Sequence, residues 1–437
     1  MPGELTITAD WELLDTGSPE ERACFAAVTI RFDGVSLTEG RDAFVNRVRS
    51  GPMLSAYHLA EWMAWNWWRL RWEPRSNVPD WAFAHRLTAI GEGYVWPNIT
   101  VSSDGERMAL IARPTRERPD TPFRYINDFP AIVDAREFEF VLDQFIDQVR
   151  GQLRAEQIGE TNLDRIWTDV GSERHDPDLA RRRKLEALLG RDPDEADELT
   201  IESLVADAQL LGESAVNEVA ADYAQGGDLL TAEALREIAE RTGYDSSPRD
   251  VVGLMPGAGL PPAGRVAAWR LGAAAASALR EQQGLAAVPI SNQKLARLAA
   301  VRTEALTRPT HGPNISFALD QDAAAGRVVL RSKWETGRRF ELARLVGDRI
   351  VHPANGRLYP ATRAYTYRQK MQRSFAAELL SPFQAVDEML AGDYSMENQQ
   401  DVADHFQVSE LTIRTLLVNH CRLEREELDG EFEAAVT

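Results

Sequence analysis

Trp334-Glu-Thr-Gly-Arg-Arg-Phe-Glu-Leu-Ala-Arg-Leu-Val-Gly-Asp-Arg-Ile-Val-His352 and, a little further on, Phe375-Ala-Ala-Glu-Leu-Leu-Ser-Pro382 are the most informative stretches of this chain. In the first, Arg344 and Asp348 stand four residues apart, so a helix stacks them on one face, where they are expected to form an ion pair. His352 follows one turn later. Ser381-Pro382 reads as an N-cap with proline at the first helical position, opening a helix through Met389. The segment Asn398 to His420 then has a helix-turn-helix cadence, with Ser409 as the N-cap of the second helix. That second helix, Glu410 to Asn419, contains one arginine, Arg414, and opens with an acid, while residues Glu424 to Glu433 are strongly acidic.

Working back toward the N-terminus, residues 1–157 read as an α+β domain. Leu5 to Leu13 alternates apolar and polar residues, and Ala26 to Val35 is rich in β-branched residues ahead of a glycine turn, as in half-buried strands. Further strands are expected at Ile99 to Ser102 and Arg107 to Ile111, joined by Ser103-Asp-Gly. From Arg136 to Gln157, Phe138, Val141, Leu142, Phe145, Ile146 and Val149 repeat at amphipathic-helix spacing. Residues 158–252 read as helical, with Asp176-Pro-Asp opening a helix from Leu179 to Leu189. The acidic run Arg191 to Glu198 reads as a solvated connection. A Pro/Gly-rich stretch, residues 253–264, reads as a linker, because prolines interrupt Gly257-Ala-Gly259 and spoil it as a phosphate loop. Residues 265–437 form the last region.

Composition narrows the function. The chain has 437 residues, 44% hydrophobic and 27% charged, which is ordinary for a globular protein. Against 49 basic residues stand 68 acidic ones, and a net charge of -19 argues against nucleic acid and anionic membranes as partners. The two cysteines, Cys24 and Cys421, lie in no CxxC, which suggests a reducing compartment and offers no thiolate zinc framework. The N-terminus has no basic and apolar leader pattern, and no stretch reaches the roughly 18 apolar residues of a membrane span. A cytoplasmic protein is expected.

Trp62, Trp65, Trp67, Trp68 and Trp72 fall within one helix-like run, Ser55 to Trp72. Apolar and aromatic side chains cover nearly the whole circumference, broken by His58, Glu61, Asn66, Arg69 and Arg71. The first expectation is a buried central helix, with Trp62, Trp65, Trp68 and Trp72 all in the core. The alternatives are a partner-binding surface made of those four rings, or an aromatic platform for bases.

Through Arg339-Phe-Glu-Leu-Ala and Phe375-Ala-Ala-Glu-Leu-Leu-Ser-Pro382, residues 265–420 resemble the ImmA/IrrE family of zinc-peptidase-like proteins. That resemblance implies a mostly helical, zincin-like C-terminal domain, and a bacterial setting in stress response or defence against mobile elements. The family's HExxH binds zinc through two histidines and activates water with the glutamate. Here the aligned positions hold Arg344, Leu345 and Asp348, with His352 beyond them. Arginine cannot ligate a metal and leucine cannot take a proton. The downstream glutamate of the family is missing too, since Arg368 to Ser374 contains no carboxylate. The motif is degenerate, so no catalytic residue, metal or cofactor is expected, and an Asp348/His352 remnant is the weaker alternative. The function expected is that of a pseudo-peptidase binding a protein partner. The other readings are a DNA-binding regulator using the C-terminal helices, and a hydrolase with its site in residues 1–260.

Overall fold

The computed structural model describes residues 4–116, 121–308, 314–352 and 356–424. The chain is α+β, with helices and antiparallel sheets, and divides into two compact units, residues 1–201 and 202–437.

In the first unit, strand Leu5–Trp11 pairs antiparallel with Phe25–Phe32, from Leu5 opposite Phe32 to Trp11 opposite Ala26. Its alternation does what the sequence predicts: Leu5, Ile7 and Ala9 are buried. Strand Phe25–Phe32 also takes Val35–Ser36 and Met53–Ser55 as partners. A second sheet runs Phe129–Asp134, Arg107–Ala112, Ile99–Ser103, with Asp104 accepting from the backbone N–H of Arg107 at 2.9 Å in the turn. A third, small sheet has Gly40–Asp42 between Arg47–Arg49 and Phe123–Tyr125. Asp134 caps helix Ala135–Ala155, which buries Phe138, Val141, Leu142, Phe145, Ile146 and Val149. That face packs on strand Leu5–Trp11 and on the tryptophan segment.

The tryptophan segment is two helices rather than one, Ala56–Trp65 and Trp67–Trp72. The break falls at Asn66, whose backbone and side-chain N–H groups both donate to the Trp62 carbonyl, at 3.0 and 2.8 Å. Expecting four core tryptophans is incorrect. Trp68 is buried, edge-on to Trp67 at 4.6 Å, and its indole N–H donates to Glu173 at 2.7 Å. Trp72 is half-buried under the cations of Arg71 and Lys184. Trp62 is half-buried as well, and Trp65 is 59% exposed. The reason is phase: His58, Glu61, Trp62 and Trp65 follow i, i+3, i+4, i+7 spacing and share one face, while Leu59, Ala60, Met63 and Ala64 bury the other.

The division of the chain also differs from the one composition suggested. Helices Asn162–His175 and Pro177–Leu188, the second capped by Asp176, pack on the tryptophan helices and belong to the first unit. The acidic run is not a plain solvated connection, because Asp192 accepts from Arg69 at 3.3 Å and both Asp194 oxygens accept from Arg183 at 2.8 Å.

In the second unit, a four-stranded antiparallel sheet runs Tyr244–Ser246, Gly326–Val329, Ser316–Asp320, Leu358–Ala361. Tyr244–Ser246 is a strand in a region where the sequence shows only helix. The core is made by helices Ala268–Gln282, Glu335–Val351 and Tyr367–Leu380. Two glycines set their spacing. A Cβ on Gly272 would lie 2.3 Å from the Met371 carbonyl oxygen, and one on Gly347 would lie 2.5 Å from the Phe375 ring. Residues 253–264 are not a linker between units. Val252, Leu254, Leu260 and Val266 pack against this core, and the Gln282 amide clamps the Gly253 carbonyl and the Met255 N–H at 2.8 Å each.

The helix after Ser381 starts at Phe383, with Pro382 as its N-cap residue, and Ser381 instead ends the preceding helix by donating to the Ala377 carbonyl at 2.9 Å. Trp68→Ala is expected to destabilise the protein by about 3–5 kcal/mol, and Trp65→Ala by less than about 0.5 kcal/mol. Thermal melts of the two variants check this, and equal losses would contradict the placement of Trp65.

Candidate functional site

Helix Glu335–Val351 positions the aligned residues, and buried guanidinium groups fix the helix at its start. Arg338 donates to the carbonyls of Leu306 and Lys333, at 2.7 and 2.8 Å. Arg339, fully buried, donates to the Ile290 carbonyl at 2.7 Å and to the Asn292 side chain. Arg338 thus satisfies the buried carbonyl of Leu306 in the short helix Glu304–Thr307, and Arg339 the buried loop carbonyl of Ile290.

Further along, the Arg344 guanidinium donates to the Thr362 carbonyl at 2.7 Å and to Gln369 Oε1 at 2.5 Å. It is buried, and among the described residues it has no carboxylate partner and its Nε no acceptor. Burial, with the like charge of Arg373 nearby, pushes it down to about 9. Leu345 is part of the hydrophobic core.

Asp348 is fully buried and takes both its charge-assisted bonds from the facing helix, from Arg368 Nε at 2.8 Å and Nη2 at 2.6 Å. His352 Nδ1 lies 3.2 Å from Asp348 Oδ1, the oxygen that also accepts from Arg368 Nε. Burial alone would push the Asp348 carboxyl up, but Arg368 and His352 outweigh it and hold the group well below the usual carboxylate range. The expected Arg344–Asp348 pair does not form: the two share a helix face, yet each finds its partner on helix Tyr367–Leu380.

Around this pair lie groups that sequence reading missed. Arg368 also donates to Ser214 Oγ at 3.0 Å, and Thr366 donates to the buried Glu218 at 2.6 Å. Burial raises the Glu218 carboxyl above its ordinary value. The amides of Gln369 and Gln372 both donate to the Pro360 carbonyl at 3.0 Å. These residues come from segments well over a hundred positions apart, and no spacing rule announces such pairs. The arrangement does not suit zinc. The Arg368 guanidinium faces Asp348 and takes both its oxygens, and the nearby Gln369 and Gln372 are carboxamides turned to the Pro360 carbonyl. Among the described residues, no three His, Cys, Asp or Glu side chains gather as a metal would require.

The C-terminal pair, helices Met396–Phe406 and Glu410–Asn419, packs its apolar residues Phe406, Ile413, Leu416 and Leu417 into the core of the second unit. Ser409 caps the second helix, accepting from the Thr412 N–H at 3.2 Å. Arg414 is buried and donates to Glu410 at 2.8 Å, so it does not face outward as a phosphate- or base-reading residue would. The acidic tail beyond Glu424 lies outside the described residues.

In residues 1–260, one buried histidine has a carboxylate partner. His85 Nε2 is 3.0 Å from Glu73, its Nδ1 is 2.8 Å from the Val101 carbonyl, and its ring stacks on Trp81 at 4.1 Å. Both His85 and Glu73 are fully buried, and Arg69 also holds Glu73, so no substrate can reach the pair.

The four tryptophans offered as a partner site do not form one surface. Trp68 belongs to the core, whereas Trp62 and Trp65 line a groove of about 210 Å³ with His58, Glu61, Ile90, Glu92 and Asn162. Glu61 is held there by the Tyr57 hydroxyl at 2.8 Å and the Asn162 amide at 3.0 Å. Comparison with known protein families, characterised proteins and solved structures returns no match for this chain.

Removing one member of the buried pair strands the other. Asp348→Asn is expected to cost about 3–5 kcal/mol at neutral pH by leaving Arg368 uncompensated. Because the folded carboxyl is depressed, its contribution is complete above the unfolded value near pH 4 and is lost as pH falls below it. Urea denaturation of the two proteins should therefore give a constant gap between pH 7 and 5 that narrows below about pH 4. A gap that widens in acid would contradict the assignment.

Proposed function

We propose that this chain acts without catalysis, as a protein-binding or regulatory component whose C-terminal region, residues 265–420, is a degenerate zincin-like domain of the ImmA/IrrE kind. The observation that carries this reading is the sealed arrangement at the aligned positions. Arg344 is bonded to Thr362 and Gln369, Leu345 is core, and Asp348 is engaged by Arg368 and His352.

A peptidase of this kind needs a Lewis acid with an open coordination position and a base beside it. This chain places a fixed cation and a leucine at two of the motif positions, and the residues present do not fit zinc. What remains is a packed scaffold that holds surfaces in place. The groove of the first unit, with Trp65 largely exposed and Trp62 half-buried, supports binding as the activity, since tryptophan dominates the energetics of many protein interfaces.

The cytoplasm is the compartment proposed. No helix among the described residues is long and apolar enough to cross a membrane, and Cys24 and Cys421 are both free thiols. A bacterial stress or defence setting rests on the family resemblance alone.

Two measurements test the reading. Elemental analysis after dialysis is expected to find far less than one zinc per chain, and purification from the native host is expected to bring down a specific protein. Stoichiometric zinc together with peptide hydrolysis abolished by Asp348→Asn would replace the proposal with a working hydrolase.

A further inference from the structure

We infer that the groove of the first unit is a receptor for a cationic side chain, and that it takes an arginine of a protein partner. The inference deepens the protein-binding reading by naming the chemistry of the partner at one site.

The lining decides the charge of the occupant. Trp62 and Trp65 supply indole faces, Glu61 and Glu92 supply carboxylates, and among the described residues no lysine or arginine lines the groove. Indole faces attract cations through the ring quadrupole, tryptophan more than any other side chain. An apolar occupant would desolvate two carboxylates without pairing them, and an anion would meet them directly. A planar guanidinium satisfies both features, stacking on an indole while its fork of N–H groups reaches a carboxylate. About 210 Å³ suits the head of one side chain rather than a larger ligand.

Both carboxylates are held in place by their surroundings. Glu61 is oriented by two donors, the Tyr57 hydroxyl and the Asn162 amide, from its own helix and from a distant one. Glu92 sits in the left-handed region at φ +54°, between Gly91 and Gly93, which both have φ +78°. A glycine at position 92 would adopt that backbone freely, whereas glutamate there is strained. The turn is anchored, since the Trp96 indole donates to the Gly91 carbonyl at 2.6 Å. The pinned turn thus brings a carboxylate to the lining of the aromatic groove.

A protein source for the cation follows from the surroundings. The Trp62 indole donates to the Phe83 carbonyl at 3.3 Å, and Phe83 itself is 68% exposed. With Trp65, the groove is flanked by more exposed aromatic surface than a free small cation would cover, which suits a polypeptide that anchors one arginine and lays its backbone across the rim.

The test is calorimetric titration of the full-length protein, at physiological salt to suppress non-specific attraction to the acidic surface. The probes are a Gly/Ser peptide with spaced arginines, the same peptide with citrulline in place of arginine, and tetramethylammonium. The arginine peptide is expected to bind at least about tenfold more tightly than the citrulline peptide, and Trp65→Ala and Glu92→Gln should each weaken it by about five- to tenfold. Trp334→Ala, an exposed tryptophan of the other unit, should leave it unchanged. Thermal melts confirm that the variants fold. Equal binding of the citrulline peptide, or wild-type affinity in Trp65→Ala, overturns the inference, and tighter binding of tetramethylammonium than of the arginine peptide overturns the protein source. A native partner that still co-purifies with Trp65→Ala would overturn this site and leave the protein-binding reading standing.

Discussion

The second unit depends on one buried contact, the bidentate pairing of Arg368 with Asp348. Two helices approach closely enough to share it because Gly347 leaves room for the Phe375 ring beside the pair. Once helices Glu335–Val351 and Tyr367–Leu380 are that close, the polar groups on their shared face have to be satisfied inside the protein, and all but a few, Arg344 Nε and Gln372 Oε1 among them, are. Asp348 takes Arg368 and His352, Arg344 takes Thr362 and Gln369, and Arg368 reaches on to Ser214. The pair is a poor source of net stability, since removing two charges from water offsets much of their attraction. Its effect is on register. A shift of one residue along either helix would leave a guanidinium and a carboxylate buried and apart.

This explains why much of the fold is legible in the sequence while the site is not. Helix Ala135–Ala155 differs from the expected Arg136 to Gln157 by one residue at its start and two at its end, because its signal is local: apolar residues at helical spacing behind an Asp cap. The strands Leu5–Trp11 and Phe25–Phe32 follow from alternation in the same way. His352, four residues on, is a partner of Asp348 that spacing does offer, but its partner on the facing helix has no such local signal. Spacing along a helix offers Arg344 as the partner, but only the approach of the facing helix decides that Arg368 is the closer cation. Ser214 and Glu218, more than a hundred residues upstream, leave no mark on that pattern.

The tryptophan segment shows the opposite error, a pattern read too broadly. Counting aromatic side chains as core fills the circumference of a helix that in fact has a wet face. Two details in the sequence mark that face. His58 and Glu61 stand two turns and one turn before Trp65 on the same stripe, and Asn66 can turn its amide back on the helix, as it does onto the Trp62 carbonyl. Trp67 and Trp68 then begin a new helix with a new phase and go into the core. The same residue type thus has two roles within four positions, decided by the company each ring keeps.

Arg344 shows most clearly what the second unit is organised for. A methionine or leucine there would fill a comparable space without desolvating a charge, and such exchanges are commonly neutral or stabilising when the site is apolar. At this site the surroundings are polar: the Thr362 carbonyl and the Gln369 carboxamide oxygen both point inward and would be left with one partner fewer. The Thr362 N–H also donates to that same oxygen, at 2.9 Å. Arginine therefore joins the strand end at Ala361 to both long helices through a single group. A metal with its ligands could tie the same three segments together and would add an open coordination position for chemistry. Here the guanidinium makes the tie through hydrogen bonds alone, and losing it would leave the Thr362 carbonyl and Gln369 Oε1 each one donor short.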